Sequence, residues 1–246
     1  MAEIEINDLC EFMHGFYGYG DLTSDVWLIG MEEGGGKDLA ELNIRISKWI
    51  SSGRGTTTDV YEMHNALSEL RYFTLPKPKI QRTWSKLIRL QLSIEGNAVS
   101  NQLVANFQAT RLGRTGSNTC LLELLPLPAS NLNSWIYKEL TSPSYLNTRA
   151  KYRRALLPVR INKLRNLITN YKPKTVVFYG LSYKTYLQEI MQSQFVENDT
   201  NHFFTQHQKN GINYVLAPHP SARGVKNKDF ESFIEDVQKS SNTDPS

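Results

Sequence analysis

Cysteine is scarce in this chain, with two residues, Cys10 and Cys120, among 246. They stand far apart, with no CxxC and no Cys/His spacing. That leaves no basis for a disulfide framework or a zinc site, and two buried thiols are the expectation. Long apolar runs are absent as well, since nothing reaches the roughly 18 to 20 residues a membrane-spanning helix needs. The opening residues, MAEIEIND, are acidic where a secretion signal is basic, so the reading is a soluble, cytoplasmic protein. Neither the GxGxxG dinucleotide fingerprint nor the GxxxxGK[ST] phosphate loop occurs. His14, His64, His202 and His207 sit in no metal-binding pattern, so no cofactor and no metal are expected.

What is present is ordinary globular composition, 40% hydrophobic and 21% charged. The length suits one large domain, placed over residues 1–240, with a polar tail at 241–246, and a monomer is expected. Four short apolar runs are bounded by turn signals, as expected of buried parallel strands: DVWLIGM (Asp25 to Met31), NTCLLELLPLP (Asn118 to Pro128), KTVVFYG (Lys174 to Gly180) and INYVLAP (Ile212 to Pro218). Helical stripes separate them, at Leu39, Leu42, Ile46 and Trp49, at Trp84, Leu87, Ile88 and Leu92, and at Leu157, Ile161, Leu164 and Ile168. HGFYGYGDL reads as a glycine-rich loop after a short helix, SSGRGTTTD as a mobile loop, and Asn210-Gly211 as a hairpin turn inside HFFTQHQKNGINYVL. The expected fold is α/β, a three-layer α/β/α sandwich around a central, mainly parallel four-stranded sheet.

Net charge is only +4, but it is unevenly placed. Arg71 to Ile94 holds six basic residues and no acidic one, and Lys151 to Lys172 holds seven and again none. Such segments suit a polyanion, because Lys and Arg near phosphates release condensed counterions. A solvated helix face is the plain alternative.

In an α/β sheet, ligands bind where loops leave the carboxyl ends of the strands. Those loops are GMEEGGGK, ELLPLPAS, YGLSY and APHPSARG. Gly30, Gly34, Gly35 and Gly36 permit close backbone approach or positive φ. Glu32 or Glu33 would hold a water as general base, with capping of the following helix the favoured role for Glu33. His219, between Pro218 and Pro220, has a nearly fixed backbone and belongs to no regular helix. A packed loop histidine is its plain alternative.

Together WLIGMEEGGG and LAPHPSARG, on a four-strand α/β frame, resemble the two motifs of the uracil-DNA glycosylase superfamily. His219, Pro220, Ser221 and Arg223 match the second motif, with Ala222 in place of its second proline. Gly30, Met31, Glu32 and Gly34 match the first, with Glu33 where proline is usual. ELLPLP is similar to a middle segment that reads N-x-x-P-L in one branch.

The resemblance implies a monofunctional, metal-free DNA glycosylase that flips a nucleotide from duplex or single-stranded DNA and hydrolyses its N-glycosidic bond. Glu32 would activate water and stabilise the oxocarbenium-like sugar, and His219 would donate to the departing base. Met31, Gly34 and Glu123 would contact the base, and the amides of Gly34 to Gly36 a phosphate or base carbonyl. Ser221, Arg223, Lys226, Arg82, Lys86, Arg153 and Arg154 would contact DNA, with Arg223 as a wedge in the vacated stack.

Two departures bear on the substrate. Glu123 stands where an asparagine usually reads uracil, and an ionised glutamate only accepts hydrogen bonds. Ionised, it would disfavour uracil O4 and accept from a cytosine-type amine, whereas a protonated one would also donate to cytosine N3. The group fits guanine-type N1–H and N2–H edges as well. The cytosine fit points to a modified cytosine such as phage DNA carries, in antiviral defence. Pairing of Glu123 with a nearby arginine is the alternative. The aromatic that usually stacks on the base is also missing, since Arg45 and Ile46 occupy its spacing. Trp49 and Tyr61 are nearby, with Trp49 better explained by core packing. A non-catalytic nucleic-acid binding or sensing protein on the same fold, or another hydrolase or transferase acting on a nucleotide, are the competing readings.

Overall fold

A computed structural model describes residues 4–131, 134–195 and 205–232. The tail at 241–246 and His202 lie outside them. The chain begins with α1 (Ile6–Gly15), β1 (Gly18–Gly20) and β2 (Val26–Glu32), then α2 (Leu39–Ser51), β3 (Thr57–Thr58), α3 (Val60–Ala66), α4 (Arg82–Ile94) and α5 (Asn101–Thr110). It continues through β4 (Cys120–Leu125), α6 (Arg149–Tyr171), β5 (Thr175–Tyr179), α7 (Lys184–Met191), β6 (Thr205–Lys209), β7 (Ile212–Ala217) and α8 (Asn227–Glu231).

The sheet has seven strands in the order β3-β1-β4-β2-β5-β7-β6, not four. The four apolar runs are its parallel centre, β4-β2-β5-β7. Three short strands extend it. The GYG stretch expected to be loop is β1, antiparallel to β4, and β3 adds to its outer edge. A glycine-rich strand carries no β-propensity signal. Gly18 and Gly20 are needed there because a Cβ on either would lie 2.2 or 2.1 Å from a β4-side carbonyl oxygen. The Asn210-Gly211 turn, with φ of 54° and 77°, closes the β6–β7 hairpin as its type I′ signature predicts.

From β2 the chain crosses to β4 on one side, and from β4 it crosses back past β2 to β5 on the other. Right-handed crossovers therefore place α2 to α5 on one face and α6 with α7 on the opposite face. Helix starts follow local chemistry. Asp38, Asp59, Gln81, Ser100 and Thr148 each accept a backbone N–H of the first turn, worth about 1 kcal/mol apiece for the Asp, Ser and Thr caps.

The predicted stripes are the core faces. Leu42, Ile46 and Trp49 of α2, Leu87 and Ile88 of α4, and Ile161, Leu164 and Ile168 of α6 are all buried against Trp27, Leu28, Ile29, Val176 and Val177. Each fully buried side chain of this kind contributes roughly 1.5–3 kcal/mol. Two members of the basic segments are also structural. Arg160 is fully buried, donates to the carbonyls of Leu124, Met13 and Glu123, and lies 3.7 Å over the Tyr17 ring. Arg89 is buried against Glu231 and Asn101.

Candidate active site

The carboxyl ends of β2, β4, β5 and β7 open into one cavity of about 1050 Å³. It lies where the loop after β2 leaves toward one face and the loops after β4 and β5 leave toward the other, the usual ligand position in such sheets. Glu32, Glu123, Tyr179 and His219 line it, each from a different strand end. Met31, Gly34 and Ser221 line it too.

Glu32 is the last residue of β2, with a side chain only 10% exposed. Its Oε1 accepts from Arg149 Nη1 at 2.6 Å, and Arg153 Nη2 stands 3.7 Å from the same oxygen. Oε2 is shielded and has no hydrogen-bond partner among the described residues. Arg149 is itself fixed, since its Nη2 donates to the carbonyls of Asn131 and Ser134.

Glu33 does not cap α2, because Asp38 holds that position. Its Oε2 accepts from Tyr19 Oη at 2.7 Å and Arg45 Nη1 at 2.9 Å instead. Buried Arg45 also donates to Glu41, which accepts the amides of Gly36 and Lys37. The Gly36 amide is therefore committed within the fold rather than free for a phosphate or base carbonyl. Gly35 and Gly36 have φ of 124° and 68°, whereas a Cβ on Gly34 would meet nothing within 4 Å. Gly34 faces open space, so its lack of a side chain answers no packing demand of the fold.

Glu123, on β4, is held by Tyr179, whose hydroxyl donates to Oε1 at 2.8 Å. No arginine pairs with its carboxyl among the described residues, and Arg160 takes its main-chain carbonyl instead. Oε2 is shielded and has no hydrogen-bond partner among the described residues. Burial, reinforced by the charges of Glu33 and Glu32, pushes the Glu123 pKa up to about 8. At neutral pH the group is thus mostly a carboxylic acid, the protonated rather than the ionised of the two forms weighed from the sequence. Taking Oε1 as the acceptor from Tyr179 assigns the proton to Oε2. Gly30 is paired with Glu123 across the β2–β4 ladder, and a Cβ there would sit 2.4 Å from both Glu123 Oε2 and Tyr179 Oη. That glycine makes room for the pair.

His219 follows β7. Its Nδ1 accepts the Ser221 N–H at 3.2 Å and contacts Ser221 Oγ at 2.8 Å. A main-chain N–H can only donate, so Nδ1 is the acceptor and the neutral ring carries its proton on Nε2. Burial, then the Lys86 charge, lowers the His219 pKa and favours that neutral form. Lys86 is not turned toward open solvent, since its Nζ donates to the Pro220 carbonyl at 2.5 Å and ties the histidine loop to α4. The Tyr179 ring lies 5.9 Å from the imidazole.

The remaining cationic candidates differ in setting. Arg223, Arg82 and Arg154 are exposed, and exposed Lys226 precedes α8, its N–H bonded to Asp229. Neither suggested stacking aromatic lines the cavity. Trp49 is 2% exposed and donates to the Gly55 carbonyl, and Tyr61 packs on Phe73 and Arg114. The aromatic wall comes instead from His64, Tyr72 and Trp84 in mutual edge contact, with Tyr183 also on the lining.

Four positions at or beside the cavity were not among the candidate site residues of the sequence. Tyr179 is the first residue of YGLSY, a loop marked as a site candidate from the sequence although the tyrosine itself was given no role. Arg149, which holds Glu32 from outside the lining, and Tyr72 and Trp84, which line the cavity, had no such mark, because the residues they meet there are remote in sequence. Among the described residues no cluster of three or more His, Cys, Asp or Glu is arranged to hold a metal ion, and no helix is long and apolar enough to cross a membrane. Compared with protein-family models and with curated protein sequences, the chain matches none of them.

Proposed function

We propose that this chain is a DNA glycosylase that flips a damaged or modified base into the cavity and hydrolyses its N-glycosidic bond. The observation that carries the reading is the convergence of Glu32, Glu123 and His219, remote in sequence, on one cavity at the carboxyl ends of the parallel strands. Breaking the bond builds positive charge on the sugar and negative charge on the base, so a carboxylate and a neutral donor are the required pair. Glu32 supplies the carboxylate, and His219 Nε2–H the donor.

A neutral Glu123 carboxyl combines one O–H donor with one acceptor oxygen, and reading a base requires its shielded Oε2 to turn away from Gly30 into the cavity. The donor–acceptor pair complements N3 and the amine of a cytosine-type base, and it also complements the N3–H and O4 of uracil, so the like-charge argument against uracil lapses. The cavity's size, at the upper end for small-molecule sites, supports a base that carries a substituent, as modified cytosines in phage DNA do. In this reading the exposed Arg223, Arg82, Arg154 and Lys226 contribute phosphate contacts, and the protein acts in antiviral defence.

The test is incubation with single strands and duplexes containing uracil, hypoxanthine or modified cytosines, followed by alkali to cut abasic sites. Strand breaks that disappear in Glu32→Gln and fall at least ~100-fold in His219→Ala are expected. The non-catalytic alternative draws on one observation, the engagement of Glu32 by two guanidinium groups. Binding without release of any base would establish it.

A further inference from the structure

Around Glu32 the charges do not balance. One carboxylate faces two guanidiniums, those of Arg149 and Arg153. The local excess is positive, which opposes the cationic sugar that glycosidic cleavage creates. The two arginines are also unlike. Arg149 is tied down by Glu32 and two main-chain carbonyls. Arg153 stands too far from Glu32 for a hydrogen bond, and its Nε and Nη2 are shielded from solvent without a hydrogen-bond partner among the described residues. Shielded, unpaired donors on a charged group are costly, and an anionic oxygen is the group that satisfies them.

The place of Arg153 fits such an exchange. Its guanidinium lies 5.9 Å from the centre of the Tyr183 ring, which lines the large cavity. Arg153 also lines a second groove of about 430 Å³ along α6, together with Arg154, Tyr186 and Glu189. It therefore spans the wall between the site and an outer surface that carries another cation. A planar guanidinium there has free N–H groups suited to bidentate capture of a phosphodiester.

We propose that Arg153 is a phosphodiester-binding residue that couples strand binding to Glu32. In the free protein it rests against Glu32, and a backbone phosphate next to the flipped nucleotide draws it away. Arg149 remains as the anchor, and the phosphate cancels the excess positive charge as the sugar becomes cationic. The proposal rests on the glycosylase reading for its consequence, but the phosphate contact itself is independent of catalysis.

The experiment measures binding first. Single-stranded and duplex oligonucleotides bearing a tetrahydrofuran abasic analogue are made with one phosphate at a time replaced by neutral methylphosphonate. Anisotropy titration is run with the wild-type chain, Arg153→Ala and Arg153→Lys, each checked by circular dichroism. At one phosphate beside the analogue, neutralisation should weaken wild-type binding roughly tenfold to hundredfold, the effect of losing a charge-assisted contact. It should leave Arg153→Ala almost unchanged, with Arg153→Lys between. Equal penalties in the wild type and Arg153→Ala at every phosphate would overturn the proposal. Base release is then followed on the substrate strand with the same single replacement. Coupling in binding without release of any base would keep the phosphate site and remove the glycosylase reading. Release without coupling would do the reverse.

Discussion

Glu123 makes the stability of this protein depend on pH in a way that a single substitution should erase. In the unfolded chain the carboxyl titrates near 4.5, and in the fold burial moves it up to about 8. Between those values the folded state keeps a proton that the unfolded state has lost, so stability falls as pH rises through the window and is unaffected below it. At about 1.4 kcal/mol per tenfold change in proton affinity, the window corresponds to at most about 5 kcal/mol. Glu123 lines the cavity and is only half-buried as a residue although its Oε2 is shielded, so about 2–3 kcal/mol is the expected loss. For a chain of this size that lowers the melting temperature by roughly 5–10 °C between pH 5 and pH 8.5. Glu123→Gln keeps the acceptor for Tyr179 and places an N–H where Oε2–H was, without a titrating group. Its melting temperature should follow the wild type near pH 5 and exceed it increasingly toward pH 8.5. Thermal denaturation of both proteins across this range is the assay. Parallel profiles would show that Glu123 is ionised in the fold, and the donor-and-acceptor account of base reading would go with it.

Other outcomes follow from the same geometry. Lys86→Met removes a charge that lowers the His219 pKa, so the imidazole should titrate at higher pH, read from its ring resonances by NMR. Gly30→Ala drives a methyl toward the Tyr179 ring and should cost about 1–3 kcal/mol in urea denaturation. Gly34→Ala meets open space and should leave stability within about 0.5 kcal/mol, while base release drops if the cavity takes a base beside that backbone. A large loss of stability in Gly34→Ala would place that glycine in the fold's packing instead.

The central frame was legible because its signals are local. The four parallel strands are continuous apolar runs, their covering helices carry stripes at helical spacing, and the hairpin turn is marked by Asn210-Gly211. The same locality made HPSARG and GMEEGGG stand out, since a histidine between prolines and a glycine cluster after a strand are unusual wherever they occur. The outer strands were not legible. β1 is glycine-rich and β3 is two residues long, so only pairing with β4 and with each other makes them strands.

The sequence by itself determined which strand ends carry polar groups, because alternation of apolar runs and turn residues is written in the chain. The tertiary structure alone decided what those groups are chemically. Glu123 becomes an acid because packing removes water from it and the charges of Glu33 and Glu32 lie nearby, which together outweigh the hydrogen bond from Tyr179 that favours the ionised form. His219 becomes an Nε2–H donor because Ser221 and Lys86 surround it. Glu32 meets Arg149 across 117 residues of chain. Protonation, tautomer and ion pairing depend on neighbours in space, and a linear pattern does not specify them.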